Sequence, residues 1–338
     1  MPIEYGGTLA EHRAVREAVG VFDLMHLGKV TVEGEGALDV LQRTVTNDVA
    51  RVEVRSAQYN TVLNDSGGIV DDLIVYRLGR EQYFVVPNAA NTEVVHRVLV
   101  EESRNSSVEV RLHEDWCFLA VQGPQSVDVV SELLPAAADL EYMHCTETDF
   151  AGAPVILTRS GYTGERGFEL FPPEPVAHEL WRSLLKVGEQ HGIQPIGLGA
   201  RDTLRLEMGY PLHGQDISQE HTPLEAGLSW AVALDKGQFR GREALVKQKE
   251  SGIPSRLWGL RMLDRLIPRA HFGVFDGEER VGETTSGTFS PTLRLGIALA
   301  YLEPRDRFEE GDEVQVEVRG RRGRAVVTKP PFVKASPK

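Results

Sequence analysis

The sequence predicts an α+β fold in which a region of mixed helices and strands is followed by an all-β domain. The chain has 338 residues, more than one hydrophobic core usually organises, so two or three domains are expected. Helical and strand patterns alternate through the first two thirds of the chain. From Leu257 onward only strand patterns recur, with Gly or Pro between them. This last third is therefore expected to form a barrel or a sandwich.

The first elements are short helices and a meander of strands. Thr8 and Glu11 have the spacing of a capping box, which predicts a helix over 8–19 that ends at Gly20. The strands that follow are joined by turns and so differ from the βαβ unit of a nucleotide-binding fold. In order, the patterns predict a strand over 21–32 that is interrupted near 26–28, a helix over 37–45, and strands over 59–63, 69–78 and 83–87.

The middle of the chain continues the alternation of helices and strands, and the last third contains strands alone. A polar segment over 247–254 is the expected boundary before the all-β domain. The patterns predict a helix that is capped by 88–92 and ends near 101, a strand over 116–122, helices over 176–191 and 201–208, and strands over 257–262, 270–275, 297–302, 313–318 and 324–329.

Composition argues against several classes of protein. The formal net charge of −13 is unlike that of a nucleic-acid-binding protein, which would carry a basic face. Cys117 and Cys145 form no CxxC pair, so they indicate neither a zinc site nor a disulfide framework. The sequence has no apolar run of about 18 residues and no signal peptide, so we expect a cytoplasmic protein without a membrane partner.

Two adjacent acids interrupt an apolar strand pattern after a turn at 64–68. Because side chains alternate between the faces of a strand, Asp71 shares one face with Leu73, and Asp72 shares the other with Tyr76. At least one carboxylate should lie at the margin of a core, where burial is costly unless the group is hydrogen-bonded. The residues alone nevertheless favour a second interpretation, in which both acids lie at the exposed end of the strand and cap the turn.

Two glycine-rich segments carry polar residues suited to binding a planar ligand. Glu169 ends a loop with three glycines that begins at Gly161, and Arg201 follows Gly197 and Gly199. A guanidinium and a carboxylate both form paired, planar hydrogen bonds, which recognise a heterocycle edge or a carboxylate. The two glycines before Arg201 are weak evidence for a dinucleotide site. The residues alone favour a surface ion-pair cluster over 201–207, and a solvated Glu169 is equally compatible with the pattern.

Motifs of other chemistry are not found in the sequence. His213 and His221 flank Asp216, but no two histidines have the spacing of a metal site, so no metal is expected. Walker and GxSxG sequences do not occur, which leaves P-loop and serine hydrolase interpretations without support.

Taken together, these motifs resemble the aminomethyltransferase family, the T-proteins of the glycine cleavage system. The resemblance runs in family order along nearly the whole chain. Its blocks are EHRAVR at 11–16 with GVFD at 20–23, GGIVDDLIV at 67–75, AVQGP at 120–124, GYTGE at 161–165, GLGARDTLRLE at 197–207 and TSGTFSPT at 285–292.

The resemblance implies a three-domain architecture around a central folate site, with a C-terminal antiparallel β-barrel domain. The expected division is a discontinuous first α+β domain over 1–35 and 113–235, a second α+β domain over 36–112, and a barrel domain over 236–338.

The resemblance also implies the reaction and the residues that serve it. The methylene carbon of the aminomethyl group on the lipoyl arm of the H-protein is transferred to tetrahydrofolate, which gives 5,10-methylenetetrahydrofolate, ammonia and dihydrolipoyl H-protein. The catalytic aspartate of the family falls on Asp72. The implied folate-binding residues are Tyr59, Tyr76, Asn88, Tyr162, Glu169 and Arg201.

The sequence departs from the family pattern at three places. It begins at Met1 where family members carry a longer N-terminal segment, it has Met25 where serine is common, and it ends at Lys338 without a terminal tyrosine. Two alternatives share the fold. One is a folate-dependent demethylase, and the other is a non-catalytic iron–sulfur assembly factor, whose cysteine motif is absent from the corresponding segment 209–216.

Overall fold

A computed structural model describes residues 2–334 and 336–337, whose strands form three sheets. The departures noted at Met1 and Lys338 lie outside these residues. The α-helices are α1 (Thr8–Glu17), α2 (Ala37–Thr44), α3 (Thr92–Ser103), α4 (Ser126–Leu133), α5 (Glu174–Gly188), α6 (Leu198–Glu207) and α7 (Arg242–Ser251). The strands are β1 (Gly20–Asp23), β2 (Val30–Glu33), β3 (Ala57–Leu63), β4 (Ile69–Gly79), β5 (Gln82–Val86), β6 (Glu109–Leu112), β7 (Leu119–Gln122), β8 (Cys145–Phe150), β9 (Ala153–Thr158), β10 (Gly167–Phe171), β11 (Gln194–Ile196), β12 (Arg256–Met262), β13 (Gly273–Asp276), β14 (Glu279–Ser290), β15 (Leu295–Leu302), β16 (Glu313–Val318) and β17 (Arg321–Thr328).

The first sheet has the strand order β11-β1-β7-β10-β9-β8, and its strands are antiparallel except for the β1–β11 pair. Its two faces are both covered. Val21, Val121 and Leu170 face a core that includes α4 and α5, whereas Phe22 and Ala120 face a second core that includes α1 and α6. This second core also reaches the second sheet.

The second sheet is antiparallel, with the order β3-β4-β5-β2-β6. Leu73 and Val75 of β4 pack into a core with α2 and α3. Their neighbours Ile74 and Tyr76 point the other way, into the core that is shared with the first sheet. The alternation along β4 therefore brings the inner faces of the two sheets together.

The six strands of the last third close into an antiparallel barrel in the order β12-β15-β14-β13-β16-β17. Its interior is lined by aliphatic side chains such as Leu260, Val316 and Val327. The predicted α+β fold class with a C-terminal antiparallel barrel is confirmed. Within the described residues, no helix is long and apolar enough to cross a lipid bilayer.

Most of the predicted elements are present with shifted ends, but β14 was missed. It spans twelve residues, and Val281 is followed at its buried positions by Thr284, Ser286, Thr288 and Ser290. A strand that mainly buries hydroxyl groups shows no apolar alternation, so sequence patterns do not reveal it. The missed α4, β6, β8, β9 and β11 are all short, which weakens their periodicity. Helix α7 was missed as well, and of its residues Leu245 alone is buried.

The capping box predicted at Thr8 and Glu11 is wrong. Helix α1 begins at Thr8, but no side chain caps it. Glu11 is buried, and its carboxylate accepts hydrogen bonds from the backbone N–H groups of Tyr5 and Gly197. The carboxylate therefore fastens the N-terminal segment to the residue that precedes α6.

The division of the chain into domains stays a prediction. Strand β2, which the expected range 1–35 assigns to the first domain, hydrogen-bonds within the second sheet. The expected boundary segment at 247–254 begins inside α7, which ends at Ser251.

Of the charged residues over 201–207, which the residues alone placed at the surface, Arg205 and Glu207 are buried, whereas Asp202 is 44% exposed and pairs with Arg205. The guanidinium of Arg205 also donates to Asp216 and to Ser286 of the barrel strand β14. Asp216 is wholly buried as well and accepts a further hydrogen bond from Thr285. The interpretation as a surface cluster is wrong for Arg205 and Glu207, because the barrel packs against α6 and excludes solvent from them.

Glu207, at the end of α6, joins three parts of the molecule. Its buried carboxylate accepts hydrogen bonds from Arg16 of α1 and from Ser290 and Thr292 of the barrel. His12 lies 3.3 Å from the same carboxylate. Burial opposes ionisation, but the hydrogen bonds and charges of these partners more than offset it and lower the pKa of Glu207 to about 2.

We expect Glu207→Gln to make the free energy of unfolding less dependent on pH at acid pH. The pKa of Glu207 is depressed in the folded chain, so its contribution is present above pH 4.5, its ordinary pKa, and is lost as the pH falls towards 2. The contribution is about 3 kcal/mol. The measurement is denaturant unfolding of both proteins at a series of pH values, with the exposed Glu101→Gln as the control. Parallel profiles for the wild type and Glu207→Gln would contradict this assignment.

Candidate functional site

The candidate site lies where the inner faces of the first and second sheets meet beside α6. Tyr76 and Phe84 of the second sheet contact Phe171 of the first, with ring centroids 6.4 and 4.9 Å apart. The polar residues described below lie around this aromatic contact. Two surface hollows beside α5 lie on the opposite face of the first sheet, and none of these polar residues lines either hollow.

A β-bulge precedes the two adjacent acids of β4. Val62 of β3 pairs with Asp71, whereas the next residue, Leu63, pairs with Ile69, so Val70 is the extra residue. The alternation beyond the bulge is as predicted, because Asp71 lies on the side of Leu73 and Asp72 lies on the opposite side. Bulges commonly re-aim side chains near functional sites.

Asp72 is held by two side chains from different elements. The Tyr59 hydroxyl of β3 donates to Oδ2 at 3.0 Å, and the Asn88 amide, which follows β5, donates to Oδ1 at 2.9 Å. The Tyr59 ring in turn lies 5.2 Å from the ring of Trp230, whose side chain is 64% exposed. Each oxygen of the Asp72 carboxylate thus has a fixed donor.

Asp71 is buried completely, so the interpretation that placed both acids at an exposed strand end is wrong. Its carboxylate accepts hydrogen bonds from the backbone N–H and side-chain amide of Asn88 and from the side-chain amide of Asn91. The prediction that 88–92 caps the following helix is therefore wrong, because neither Asn88 nor Asn91 caps the helix through its side chain. The neighbouring strand supplies the acceptor for these residues.

Burial raises the pKa of both carboxyl groups. For Asp71, burial and the nearby charge of Asp72 raise the pKa to about 7, although hydrogen bonds from the two asparagines oppose the change. For Asp72, burial raises the pKa, and the hydrogen bonds from Tyr59 and Asn88 oppose it. Two acids that interact this closely titrate as a pair.

Glu169 of β10 faces the second sheet. Its Oε2 accepts hydrogen bonds from Ser160 at 2.6 Å and from the Tyr76 hydroxyl at 3.0 Å. Burial raises the pKa of Glu169, whereas these hydrogen bonds and the charge of Arg201 oppose that effect. Because both donors act on one oxygen, the carboxylate keeps capacity to accept hydrogen bonds from a ligand.

Arg201, in the first turn of α6, lies over an aromatic ring. Its guanidinium carbon lies 4.6 Å from the centre of the Tyr162 ring, and the Tyr162 hydroxyl donates to the carbonyl of Pro211 at 2.6 Å. Burial lowers the pKa of Arg201, and the neighbouring Tyr162 and Glu169 oppose that change. A cation stacked in this way presents its N–H edge to a planar acceptor.

The structure brings all seven predicted site residues to this junction. Each of them contacts, or acts electrostatically on, another member of the group, which comprises Tyr59, Asp72, Tyr76, Asn88, Tyr162, Glu169 and Arg201.

Four further residues of the junction were not predicted from the sequence to belong to it, although His213 was considered as a metal ligand. Ser160 precedes the glycine-rich loop, and Asn91 lies in the segment that was assigned to helix capping, so both positions were within reach of sequence reasoning. His213 and Trp230 are distant in sequence from the acids that they approach, directly or through other residues, and no local pattern marks them. Among residues 2–334 and 336–337, no three His, Cys, Asp or Glu side chains are grouped to hold a metal ion.

Two family models match the chain. The GCVT N-terminal domain matches residues 1–236, and the glycine cleavage T-protein C-terminal barrel domain matches residues 256–334. The second match covers the barrel, and the first covers both sheets that form the candidate site.

Named relatives are similar over nearly their full length. The chain is 51% identical to an aminomethyltransferase of Parafrankia sp. (strain EAN1pec), with 100% of this chain and 93% of that protein covered. It is 46% identical to an aminomethyltransferase of Mycobacterium tuberculosis (strain ATCC 25618 / H37Rv), over 98% of this chain and 90% of that protein. The crystal structure of the glycine cleavage system aminomethyltransferase T from Bartonella henselae is 35% identical, with a TM-score of 0.91 over 98% of this chain and 91% of that one.

Proposed function

The chain belongs to the glycine cleavage T-protein family and is an aminomethyltransferase, and from this premise we propose that it transfers a methylene group from the lipoyl arm of the H-protein to tetrahydrofolate at the candidate site. The arm carries the group as S–CH₂–NH₂. The carbon leaves sulfur and nitrogen and becomes bonded to N5 and N10 of the folate. The two folate nitrogens each lose a proton, of which one ends on ammonia and the other on the lipoyl thiol.

The observation that carries this proposal is the fixed Asp72 carboxylate beside the aromatic junction. Tyr59 and Asn88 hold its two oxygens, so its orientation is set before a substrate enters. Such preorganisation costs no rearrangement at the moment of reaction. Neither the demethylase nor the assembly-factor alternative is favoured by a feature of this site.

Asp72 serves the chemistry in two ways. The folate N10 is an arylamine, hence a weak nucleophile, and it must lose a proton as it bonds to the carbon. A carboxylate within hydrogen-bond reach orients the lone pair, and its negative charge stabilises the cationic iminium that forms as the carbon leaves sulfur. Because burial raises the pKa of Asp72, this group accepts a proton more readily than an exposed aspartate. Bringing folate and lipoyl arm into one site contributes further through proximity.

Glu169 and Arg201 are proposed to recognise the planar pterin edge. Glu169 offers a carboxylate to ring N–H groups, while Arg201 offers donors to a ring acceptor. Tyr76 orients the Glu169 carboxylate through its hydrogen bond, and Tyr162 fixes the plane of the Arg201 guanidinium. Tyr59 and Asn88 complete the wall around Asp72.

We expect Glu169→Gln to weaken tetrahydrofolate binding about 10- to 100-fold, because a hydrogen bond to a charged group contributes about 1.5–3 kcal/mol. At saturating folate, kcat should change much less. The measurements are calorimetric titration with tetrahydrofolate and steady-state kinetics. Glu147→Gln is the control, since Glu147 is exposed on strand β8 of the same sheet. Unchanged folate affinity in Glu169→Gln would remove Glu169 from the binding site.

The test of the proposed function follows the carbon itself. The chain is incubated with tetrahydrofolate and H-protein whose aminomethyl group carries a ¹³C label. The expected result is that the label appears in 5,10-methylenetetrahydrofolate, where mass spectrometry detects it, and that it does so only when the active chain is present. Label that stays on the H-protein, with a folded chain present, would refute the proposal.

We propose that the reaction takes place in the cytoplasm. Cys117 and Cys145 are both free and buried. Thiols that are not paired in disulfides are the rule in a reducing compartment, and this supports the expectation from the sequence.

A further inference from the structure

Asp71 is a second buried carboxylate beside Asp72, and the proposed reaction assigns it no part. It is wholly buried and accepts three hydrogen bonds, two from Asn88 and one from Asn91. Burial of a carboxylate is costly unless the group is hydrogen-bonded, and Asn88 and Asn91 supply those bonds.

Asn88 connects the two acids. Its backbone N–H and its side-chain amide both donate to Asp71, and the same side-chain amide contacts Oδ1 of Asp72 at 2.9 Å. A side chain held at backbone and amide by one acceptor has little freedom to rotate. The Asn88 amide also lies 2.9 Å from the backbone carbonyl oxygen of Asp72, so Asp71 and this carbonyl together set the orientation of the donor that reaches the Asp72 carboxylate.

Asn91 and His213 form a series of hydrogen bonds that leads away from Asp71. The Asn91 amide lies 2.7 Å from Asp71 and 3.0 Å from Nδ1 of His213, while Nε2 of His213 lies 3.1 Å from the carbonyl oxygen of Ile69. A carbonyl oxygen only accepts, so Nε2 carries the proton and Nδ1 accepts from Asn91. This assignment makes every contact in the series a donor–acceptor pair, and it ties Asp71 to the start of the bulged strand.

We propose that Asp71 is a positioning residue of the aminomethyl transfer, which holds Asn88 so that its amide fixes the carboxylate of Asp72. The inference rests on the proposed function of Asp72. Asp71 itself lies on the opposite face of the strand and touches no substrate.

The charge of Asp71 gives this role a signature that a purely structural residue lacks. Burial and the charge of Asp72 raise the pKa of Asp71 to about 7, so Asp71 becomes charged near neutral pH, beside an Asp72 that is already ionised. A protonated Asp71 loses an acceptor for Asn88 and Asn91 and therefore holds Asn88 less firmly. The titratable groups that face Asp71 are Asp72, Tyr59 and, through Asn91, His213.

The test is Asp71→Asn, measured in the aminomethyl transfer across a range of pH. We expect kcat to fall about 10- to 100-fold because the carboxylate of Asp72 is misplaced. The Kd for tetrahydrofolate should stay within about threefold of the wild type, because the folate contacts are retained. In the wild type, kcat should rise as Asp71 ionises through about pH 7, and Asp71→Asn, which has no group that ionises there, should lack this rise.

Two further variants keep the test decisive. Asp65→Asn removes a charge from the exposed turn of the same hairpin, with a side chain 94% exposed, and should match the wild type. Asn91→Ala removes one donor from Asp71, which favours the neutral form of Asp71. The pKa of Asp71 then rises further, so the rise in kcat should move to higher pH, and this variant decides the matter if Asp71→Asn does not fold.

The outcomes separate the two claims. If the wild-type chain transfers no methylene, the proposed function fails and the role of Asp71 fails with it. If the wild type is active and the variants show only a lower melting temperature, with the pH dependence of kcat unchanged, Asp71 is structural and the inference alone is overturned. Loss of the rise in kcat near pH 7 in Asp71→Asn, with lowered kcat and retained folate affinity, supports the inference.

Discussion

Asp72→Asn is expected to lower kcat by about 100-fold or more, while the Kd for tetrahydrofolate changes by less than about threefold. The amide is nearly the same size as the carboxylate and still accepts a hydrogen bond from Tyr59 or Asn88. It has no negative charge for the developing iminium and does not accept the folate proton. The loss therefore falls on the transition state rather than on binding.

The measurement combines steady-state kinetics with calorimetric titration of tetrahydrofolate. Asp65→Asn, in the exposed turn before the same strand, serves as the control for charge removal. Equal losses in kcat and in folate affinity would make Asp72 a binding residue. An Asp72→Asn enzyme with wild-type turnover would remove it from the chemistry altogether.

Arg205→Met is expected to lower the free energy of unfolding by about 3 to 5 kcal/mol, the usual effect of removing one partner of a buried ion pair. The Asp216 carboxylate then remains wholly buried without its guanidinium at 2.6 Å. Burial alone would lower the pKa of Arg205. The negative charge of Asp216 more than offsets this effect, so the pKa of Arg205 is raised. The link from α6 to Ser286 of the barrel is lost as well.

Denaturant unfolding monitored by circular dichroism checks this expectation. Arg261→Met, at an exposed position of β12, should stay within about 0.5 kcal/mol of the wild type. The double variant Arg205→Met with Asp216→Asn should be more stable than Arg205→Met alone, because no uncompensated buried charge remains. A single variant as stable as the wild type would show that the pair contributes no net stability.

The fold class and the side of the strand on which each acid lies were predictable from the sequence, and the reason is physical. Alternation in β4 is a property of the extended backbone, so the opposite orientations of Asp71 and Asp72 follow from their positions. The burial of Asp71 was not predictable from the strand, since it depends on donors from Asn88 and Asn91, which lie after the next strand.

Other features depend on contacts between distant segments. The residues alone placed Arg205 and Glu207 in a surface cluster, because a helix with mixed charges is usually exposed. The barrel covers that helix, and the hydroxyl groups of β14 that satisfy the charges are the same groups that hid the strand from pattern analysis. His213 approaches Asp71 through Asn91, and no local sequence signal reports such a contact.

The identities of the ligands rest on the resemblance and on the family rather than on geometry. The seven site residues were assigned by matching motifs, and the structure brings them to one junction. Their contacts supply a physical reason for each role: an oriented carboxylate at Asp72, a hydrogen-bonded carboxylate at Glu169, and a stacked guanidinium at Arg201.

The most direct test of the central claim is ammonia release from aminomethyl-lipoyl H-protein by the folded wild-type chain, with and without tetrahydrofolate. The proposed function predicts release that is fast with tetrahydrofolate and slow without it. The same rate in both samples, from a chain that circular dichroism shows to be folded, would contradict it.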